Sequence, residues 1–248
     1  MTQLDSRYIQ YDFVFNETKL KMAGRAAVQS DRDIIAMVFS RQMFSTKNIA
    51  HHKGLERYYA RLVESGHMPI LIDAGGNIGA ASCYFNQVYG RLRTIAIEPD
   101  LENWTLLQYN LAGLNAEAFQ AALSCRDELL YLNDVDFEPI GYRVGEVGNR
   151  PVSAFCIPTL LQNLNAEDRP FILKVDIEGG EDRLFSESTD WIEAFPLIIV
   201  ELHDWVMPYA NVSRNFYRSI SNFEFDLVNS GENTFCFNRR LLADYQNG

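Results

Sequence analysis

Apolar positions along this chain recur in two rhythms. From Tyr8 to Ala23 they alternate with polar ones, Ile9, Tyr11, Phe13 and Phe15 sharing a face, and Asn16-Glu17 breaks the run as a hairpin turn would. Helical spacing follows in Ile34, Ile35, Met37, Val38 and Phe39, with Asp31 or Asp33 as the expected cap, and again from Leu55 to Glu64, where Tyr58, Tyr59, Leu62 and Val63 share a face. Gly66 and Pro69 end that helix. Beyond it, short apolar runs closing on acids alternate with helices. Ile70-Leu71-Ile72-Asp73 precedes a helix from Ile78 to Tyr89, and Leu92 to Glu98 precedes one through Trp104, Leu106, Leu107 and Leu111. Further strands are predicted at Ala116–Leu123, Leu129–Leu132, Val152–Ile157, Phe171–Asp176 and Pro196–Glu201. A helix over Asn215–Ser221 and strands over Phe223–Val228 and Thr234–Asn238 close the chain. Buried strands separated by helices predict an α/β fold. Residues 1–67 form an extension of hairpin and helices expected to cap the substrate, and residues 68–248 the main domain.

Composition narrows the function classes. The 248 residues are 47% hydrophobic, sufficient for a sizeable core, and carry a formal net charge of −11. That charge argues against nucleic acid or an anionic membrane as general partner. No apolar run reaches membrane-spanning length, and Cys83, Cys125, Cys156 and Cys236 form no C-x-x-C pair. They read as free thiols, and a soluble, cytoplasmic protein is the expectation.

Candidate chemistry gathers where strands end in acids and glycines. Asp73-Ala74-Gly75-Gly76-Asn77-Ile78-Gly79 is a strand, a tight turn and a helix start, the arrangement by which open α/β sheets present a ligand site at their carboxyl edge. Its glycines fall as G-G-x-x-G rather than G-x-G-x-x-G, and no P-loop occurs. A carboxylate at the strand end repels a pyrophosphate but suits a cation, so S-adenosylmethionine, with its ammonium and sulfonium, fits better than a dinucleotide. Glu98 follows Asp73 by 25 positions, roughly the offset of a ribose-binding acid. Later strand ends deliver Asp176, Glu178 and Glu181 in Leu173-Lys174-Val175-Asp176-Ile177-Glu178-Gly179-Gly180-Glu181, and Glu201 with His203 in Ile199-Val200-Glu201-Leu202-His203.

Taken together these stretches, with Ala96-Ile97-Glu98-Pro99-Asp100, Asn110 and Ala122-Leu123-Ser124, resemble the FkbM family of class I S-adenosylmethionine-dependent methyltransferases over roughly residues 68–205. The resemblance implies a Rossmann-like, seven-stranded, mostly parallel sheet flanked by helices, and methyl transfer to a hydroxyl of a small molecule or sugar. It implies that Asp73, Ala74, Gly75, Gly76, Asn77 and Gly79 face the methionine moiety and that Glu98 holds the ribose. Pro99, Asp100 and Ala121 would approach the adenine, and Asp176 the amino group or the transferring methyl.

Methyl transfer needs a base for the acceptor proton. His203, with an ordinary pKa near 6.5, is the first candidate, oriented by Asp176 or Glu201; Asp176 itself is the second. Lys174 reads as a salt-bridge partner. Glu178, Glu201, Trp205, Tyr142 and Arg143 are candidate substrate contacts, with Phe39, Met43, Phe44, Tyr58 and Tyr59 shaping the acceptor surface. The glycine-rich stretch 139–149 suits either a lid or an inert connection. A divalent cation between Asp176, Glu201 or Asp204 and the substrate is permitted, but no spacing demands it, and no metal is expected. His51-His52 reads as a solvated loop. Two other classes stay open: a nicotinamide oxidoreductase, and a silent interaction module. The hairpin could also serve a homodimer.

Overall fold

The computed structural model describes residues 6–133 and 143–243. Strands β1 (Tyr8–Phe15) and β2 (Thr18–Arg25) pair antiparallel around a turn at Asn16 and Glu17, both at positive φ. Helix α1 (Gln29–Ile35) runs into a π-helical turn, Ala36–Ser40, and α2 (His52–Glu64) leads to the first central strand. The chain continues through β3 (Met68–Ala74), α3 (Ala80–Tyr89), β4 (Arg93–Ile97), α4 (Leu101–Asn110), β5 (Ala116–Phe119), β6 (Ala122–Leu123), β7 (Glu128–Asn133), β8 (Arg143–Gly145) and β9 (Arg150–Phe155). It ends through α5 (Ile157–Gln162), β10 (Asp168–Val175), α6 (Glu181–Leu184), β11 (Leu197–Glu201), α7 (Arg214–Ile220), β12 (Phe225–Ser230), β13 (Asn233–Asn238) and α8 (Arg239–Leu242).

Seven strands form the main sheet in the order β12-β13-β11-β10-β3-β4-β5. The five from β11 to β5 run parallel, and β13 is antiparallel to both its neighbours. This is the Rossmann-like α/β architecture, with strand order reversing between β3 and β10. Such a reversal opens a crevice at the carboxyl edge, because the connections on its two sides leave in opposite directions.

The period-two pattern of the strands divides the interior. Ile70, Ile72 and Ala74 of β3, with Ile95, Ile97, Leu173 and Val175, pack with Leu160, Leu184 and Phe216 on one face of the sheet. Leu71, Ala96 and Ile199 belong to the other face, which receives Tyr84 and Phe85 of α3, Leu107 of α4 and the N-terminal segments. Phe171 and Ile172 both fall on this second face because the β10–β3 register slips between Pro170 and Ile172.

Three expectations change here. The N-cap of α1 is Val28; Asp31 is buried and takes two hydrogen bonds from the Arg25 guanidinium and one from its backbone N–H, because satisfying that cation outweighs capping a short helix. Phe39 and Phe44 pack against Tyr84, and Tyr58 and Tyr59 against Phe171, so these aromatics are core on the second face and none lines an acceptor surface. His51 and His52 are not a solvated loop. His51 stacks on Phe237 and pairs with Asp226 at 2.8 Å, while His52 opens α2 with its Nδ1 2.8 Å from Thr46.

The stretch Ala116–Leu123 also divides. Phe119 accepts from the Glu98 N–H and Glu98 accepts from the Ala121 N–H, which ends the main-sheet ladder. Ala122 and Leu123 then pair with β9 in a second sheet of order β6-β9-β7-β8. Among the described residues no helix is long and apolar enough to cross a membrane.

Candidate active site at the carboxyl edge

The glycine turn is held between two strands. The N–H groups of Gly75 and Gly76 both donate to Ile97 O, at 3.0 and 2.9 Å. Gly75 has φ +75°, and a Cβ there would lie 1.7 Å from the carbonyl oxygen of Asp176, so only glycine lets the turn after β3 pass the end of β10. Asn77, also at positive φ, donates its N–H to Glu98 Oε2 at 2.8 Å.

A cleft opens beside this turn, at the carboxyl edge where small-molecule sites of α/β sheets lie. Gly75, Asn77, Glu98, Pro99, Ala121 and Asp176 line it, and Glu178 forms part of the same wall. Lining residues not expected from the sequence include Asn103 on α4, Ile177 and Val144. Val144 belongs to β8, whose tenuous apolar pattern carries no legible signal. Glu178 has φ +53°, so two non-glycine residues in left-handed conformations, Asn77 and Glu178, line the cleft. Backbone strain of this kind collects at ligand sites because surrounding structure must enforce it.

Other sequence candidates lie behind the cleft rather than on it. Asp73 is fully buried; its Oδ2 accepts from Ser82 Oγ at 2.6 Å and its Oδ1 lies 3.4 Å from Lys174 Nζ. Strand alternation explains this placement, since Asp73 shares the side of Leu71 and points under α3. Lys174 spans the gap to the rim, 3.3 Å from Asp176 Oδ2 and 2.7 Å from Gly75 O. Although burial alone would lower its pKa, the charges of Asp176 and Asp73 keep it raised. Ala74, Gly76 and Gly79 are likewise buried and do not line the cleft; Gly79, at φ +91°, starts α3 close against Leu107. Asp100 caps α4 through the N–H groups of Glu102 and Asn103 and pairs with Arg150 at 2.8 Å, so its carboxylate is already engaged.

Glu98 is 5% exposed, with Oε2 on the Asn77 N–H and Oε1 on the Asp100 N–H at 2.9 Å. Burial pushes its pKa up to about 7 against the opposing pull of those two backbone donors.

His203 heads a short 3₁₀ turn after β11 and is 3% exposed. Its orienting partner is neither Asp176 nor Glu201 but Glu181, whose Oε1 lies 2.9 Å from Nδ1. The Gly179-Gly180 turn brings α6 back beneath the strand ends, and that glycine pair before an acid was the available sequence signal. Nε2 faces Glu178 at 3.4 Å, Asp176 at 3.6 Å and Glu201 at 3.8 Å. Burial would lower the imidazole pKa. The hydrogen bond and charge of Glu181, reinforced by Asp176 and Glu178, reverse that and raise it to about 9. At neutral pH His203 is therefore an imidazolium rather than the free base expected from its ordinary pKa. Burial, then the Asp176 charge, raises Glu178 to about 8 and also moves Glu201 upward.

Of the expected substrate contacts, Glu178 lines the cleft, Glu201 stands behind it on His203, and Trp205 is 65% exposed outside it. Tyr142 lies outside the described residues, as does the start of the glycine-rich stretch, 139–142, and Arg143 is placed as the start of β8. Cys83 and Cys236 are buried thiols, and all four cysteines are unpaired.

No family model and no curated protein sequence matches the chain. Solved structures with a similar layout include precorrin-6y C5,15-methyltransferase from Geobacter metallireducens GS-15, at 11% identity and TM-score 0.37, covering 73% of this chain and 85% of that one. A chain of the fibrillarin/Nop5p complex is similar at 11% identity and TM-score 0.38 over 76% of this chain and 81% of its own. Monomeric WbdD is similar at 9% identity and TM-score 0.42, over 78% of this chain and 42% of its own. Likenesses at these scores leave the chemistry to be argued from the rim itself.

Proposed function

We propose that the protein is an S-adenosylmethionine-dependent methyltransferase acting on a hydroxyl group of a small molecule or sugar. The observation that carries this reading is the placement of Glu98 and Asp176 on one cleft, separated by the glycine turn, at the strand-order reversal. A carboxylate accepts from two hydroxyls at once, which suits Glu98 to the ribose. Ala121, Pro99 and Asn103 make the neighbouring wall against which an adenine would lie. The open backbone of Gly75 and Asn77 and the carboxylate of Asp176 complement the positively charged methionine end.

In the transfer, the acceptor oxygen forms a bond to the methyl carbon as the carbon–sulfur bond breaks, and the hydroxyl proton must leave. Holding the two reactants in line supplies much of the acceleration, because it removes the entropy of their encounter. The proton departs toward the Asp176–Glu178 rim rather than onto His203, whose ring is already charged. Calorimetry tests the reading: S-adenosylhomocysteine should bind with one-to-one stoichiometry and micromolar affinity, and NAD should not. Binding of NAD instead, or of neither, would overturn it.

A further inference from the structure

We infer that Asp176, Glu178 and His203 form a binding site for one divalent metal ion of the Mn²⁺ type, at the acceptor end of the cleft. The three side chains each offer a ligand atom, and these atoms all lie within 4.8 Å of one another. From His203 Nε2 the carboxylate oxygens stand at 3.4 Å (Glu178), 3.6 Å (Asp176) and 3.8 Å (Glu201). Those separations are long for hydrogen bonds. They fall between the roughly 3 Å and 4 Å expected of adjacent and opposite ligands around an ion with bonds of about 2.1 Å.

A second observation points the same way. The His203 side chain is 97% removed from solvent by the protein's own packing, being 3% exposed, and Nδ1 is committed to Glu181. Its Nε2 makes no hydrogen bond among the described residues, yet it aims into three carboxylates. Glu181, itself fully buried, keeps a second oxygen with no partner. A carboxylate on the far nitrogen of a ligating histidine fixes the ring's tautomer and raises its basicity, and Glu181 occupies that position. Lys174 engages only Oδ2 of Asp176, leaving Oδ1 for the site. Four carboxyl groups thus surround a single imidazole.

Ion binding expels the Nε2 proton from His203 and any proton on Glu178, while Nδ1–H stays on Glu181. Two carboxylates and one imidazole suit Mn²⁺ better than Mg²⁺, which prefers oxygen alone, or Zn²⁺, which favours more nitrogen and sulfur. Only the ion's role, polarising the acceptor hydroxyl so that its proton leaves more readily, rests on the methyl-transfer reading. The site itself rests on the geometry of the rim.

The test is Mn²⁺ titration of chelator-stripped protein, read by electron paramagnetic resonance, with S-adenosylhomocysteine binding measured separately by calorimetry. One Mn²⁺ should bind, and Asp176→Asn, Glu178→Gln and His203→Gln should each weaken it at least tenfold. Glu178, on the cleft wall, is the variant least able to disturb folding; circular dichroism checks the other two. Absence of binding, or binding that all three folded variants leave unchanged, overturns the site. Stripped protein that binds S-adenosylhomocysteine but no Mn²⁺ sinks the metal site alone. Protein that binds Mn²⁺ but no S-adenosylhomocysteine upholds it and sinks the methyl-donor reading.

Discussion

Nδ1 of His203 lies 2.9 Å from Oε1 of Glu181, and the two side chains are 3% and 0% exposed. A proton shared there is shielded from water, and its loss would leave a buried carboxylate without compensation. In metal-free protein the imidazole should titrate near 9, and Glu181→Gln should bring the midpoint down by more than one pH unit, as followed by nuclear magnetic resonance of the ring carbons. The raised pKa also sets the sign of the pH dependence. Its stabilising contribution, on the order of 3 kcal/mol, is complete below the unfolded value of 6.5 and is lost as pH rises through about 9. The stability difference between wild type and Glu181→Gln should therefore be largest near pH 6 and shrink by pH 10 in urea titrations. A difference that grows with pH would refute the pairing.

Glu98 is the corresponding test on the cofactor side. Replacing it with Gln keeps the shape but removes the charge that, in the proposed ribose contact, would strengthen hydrogen bonds from two hydroxyls, an effect of roughly 1.5–3 kcal/mol. S-adenosylhomocysteine should bind about 10- to 100-fold more weakly to Glu98→Gln. Because burial holds this carboxyl at about 7, wild-type affinity should fall as pH drops from 8 to 6, and the variant should lose that dependence. Calorimetry at three pH values separates the cases; equal affinities would remove Glu98 from the ribose.

Much of this molecule was legible before its coordinates. Each strand end carrying chemistry is marked by an apolar run closing on an acid, and Lys174, which reads as a salt-bridge partner, stands 3.3 Å from Asp176. Strand alternation turns Asp73 to the side of Leu71, away from the cleft, while the glycine motif beside it marks the rim. The dependence of His203 on Glu181 was hidden for another reason. It needs the Gly179-Gly180 turn to bring Glu181 to His203 across 22 positions; the glycine pair before an acid marks the turn but not the partner it reaches. His203's charge state followed from that contact, so its protonation was as unreadable as the contact. Val144 reaches the cleft through β8, a three-residue strand that pairs with β7 in the second sheet and is too short to show a period.

Gly75 allows a direct test of how the turn and β10 fit together. Gly75→Ala would place a methyl 1.7 Å from Asp176 O at a backbone conformation, φ +75°, that alanine resists. A contact with backbone cannot be relieved by a rotamer change, so the variant should lose more than about 2 kcal/mol of stability and most cofactor affinity. Gly66→Ala is the control: it shares a positive φ, +83°, but its added methyl meets nothing within 4 Å. If both variants lose stability equally, the conformational penalty alone is at work and the close approach to Asp176 carries no weight.

Lys174 and Asp73 make the last case, because one charge is intelligible only through the other. Asp73 is 0% exposed and, among the described residues, its Oδ1 has no hydrogen bond and is compensated by the Lys174 ammonium 3.4 Å away. Lys174→Met should therefore cost about 3–5 kcal/mol, the range for stranding one partner of a buried ion pair. Asp73→Asn in the same background removes the stranded charge while keeping an acceptor for Ser82, and should recover much of that loss. A double-mutant cycle by urea denaturation yields the coupling directly. Should the single substitution cost under 1 kcal/mol, water or a proton must already be satisfying Asp73, and Lys174 would be holding only Asp176 and the Gly75 carbonyl at the rim.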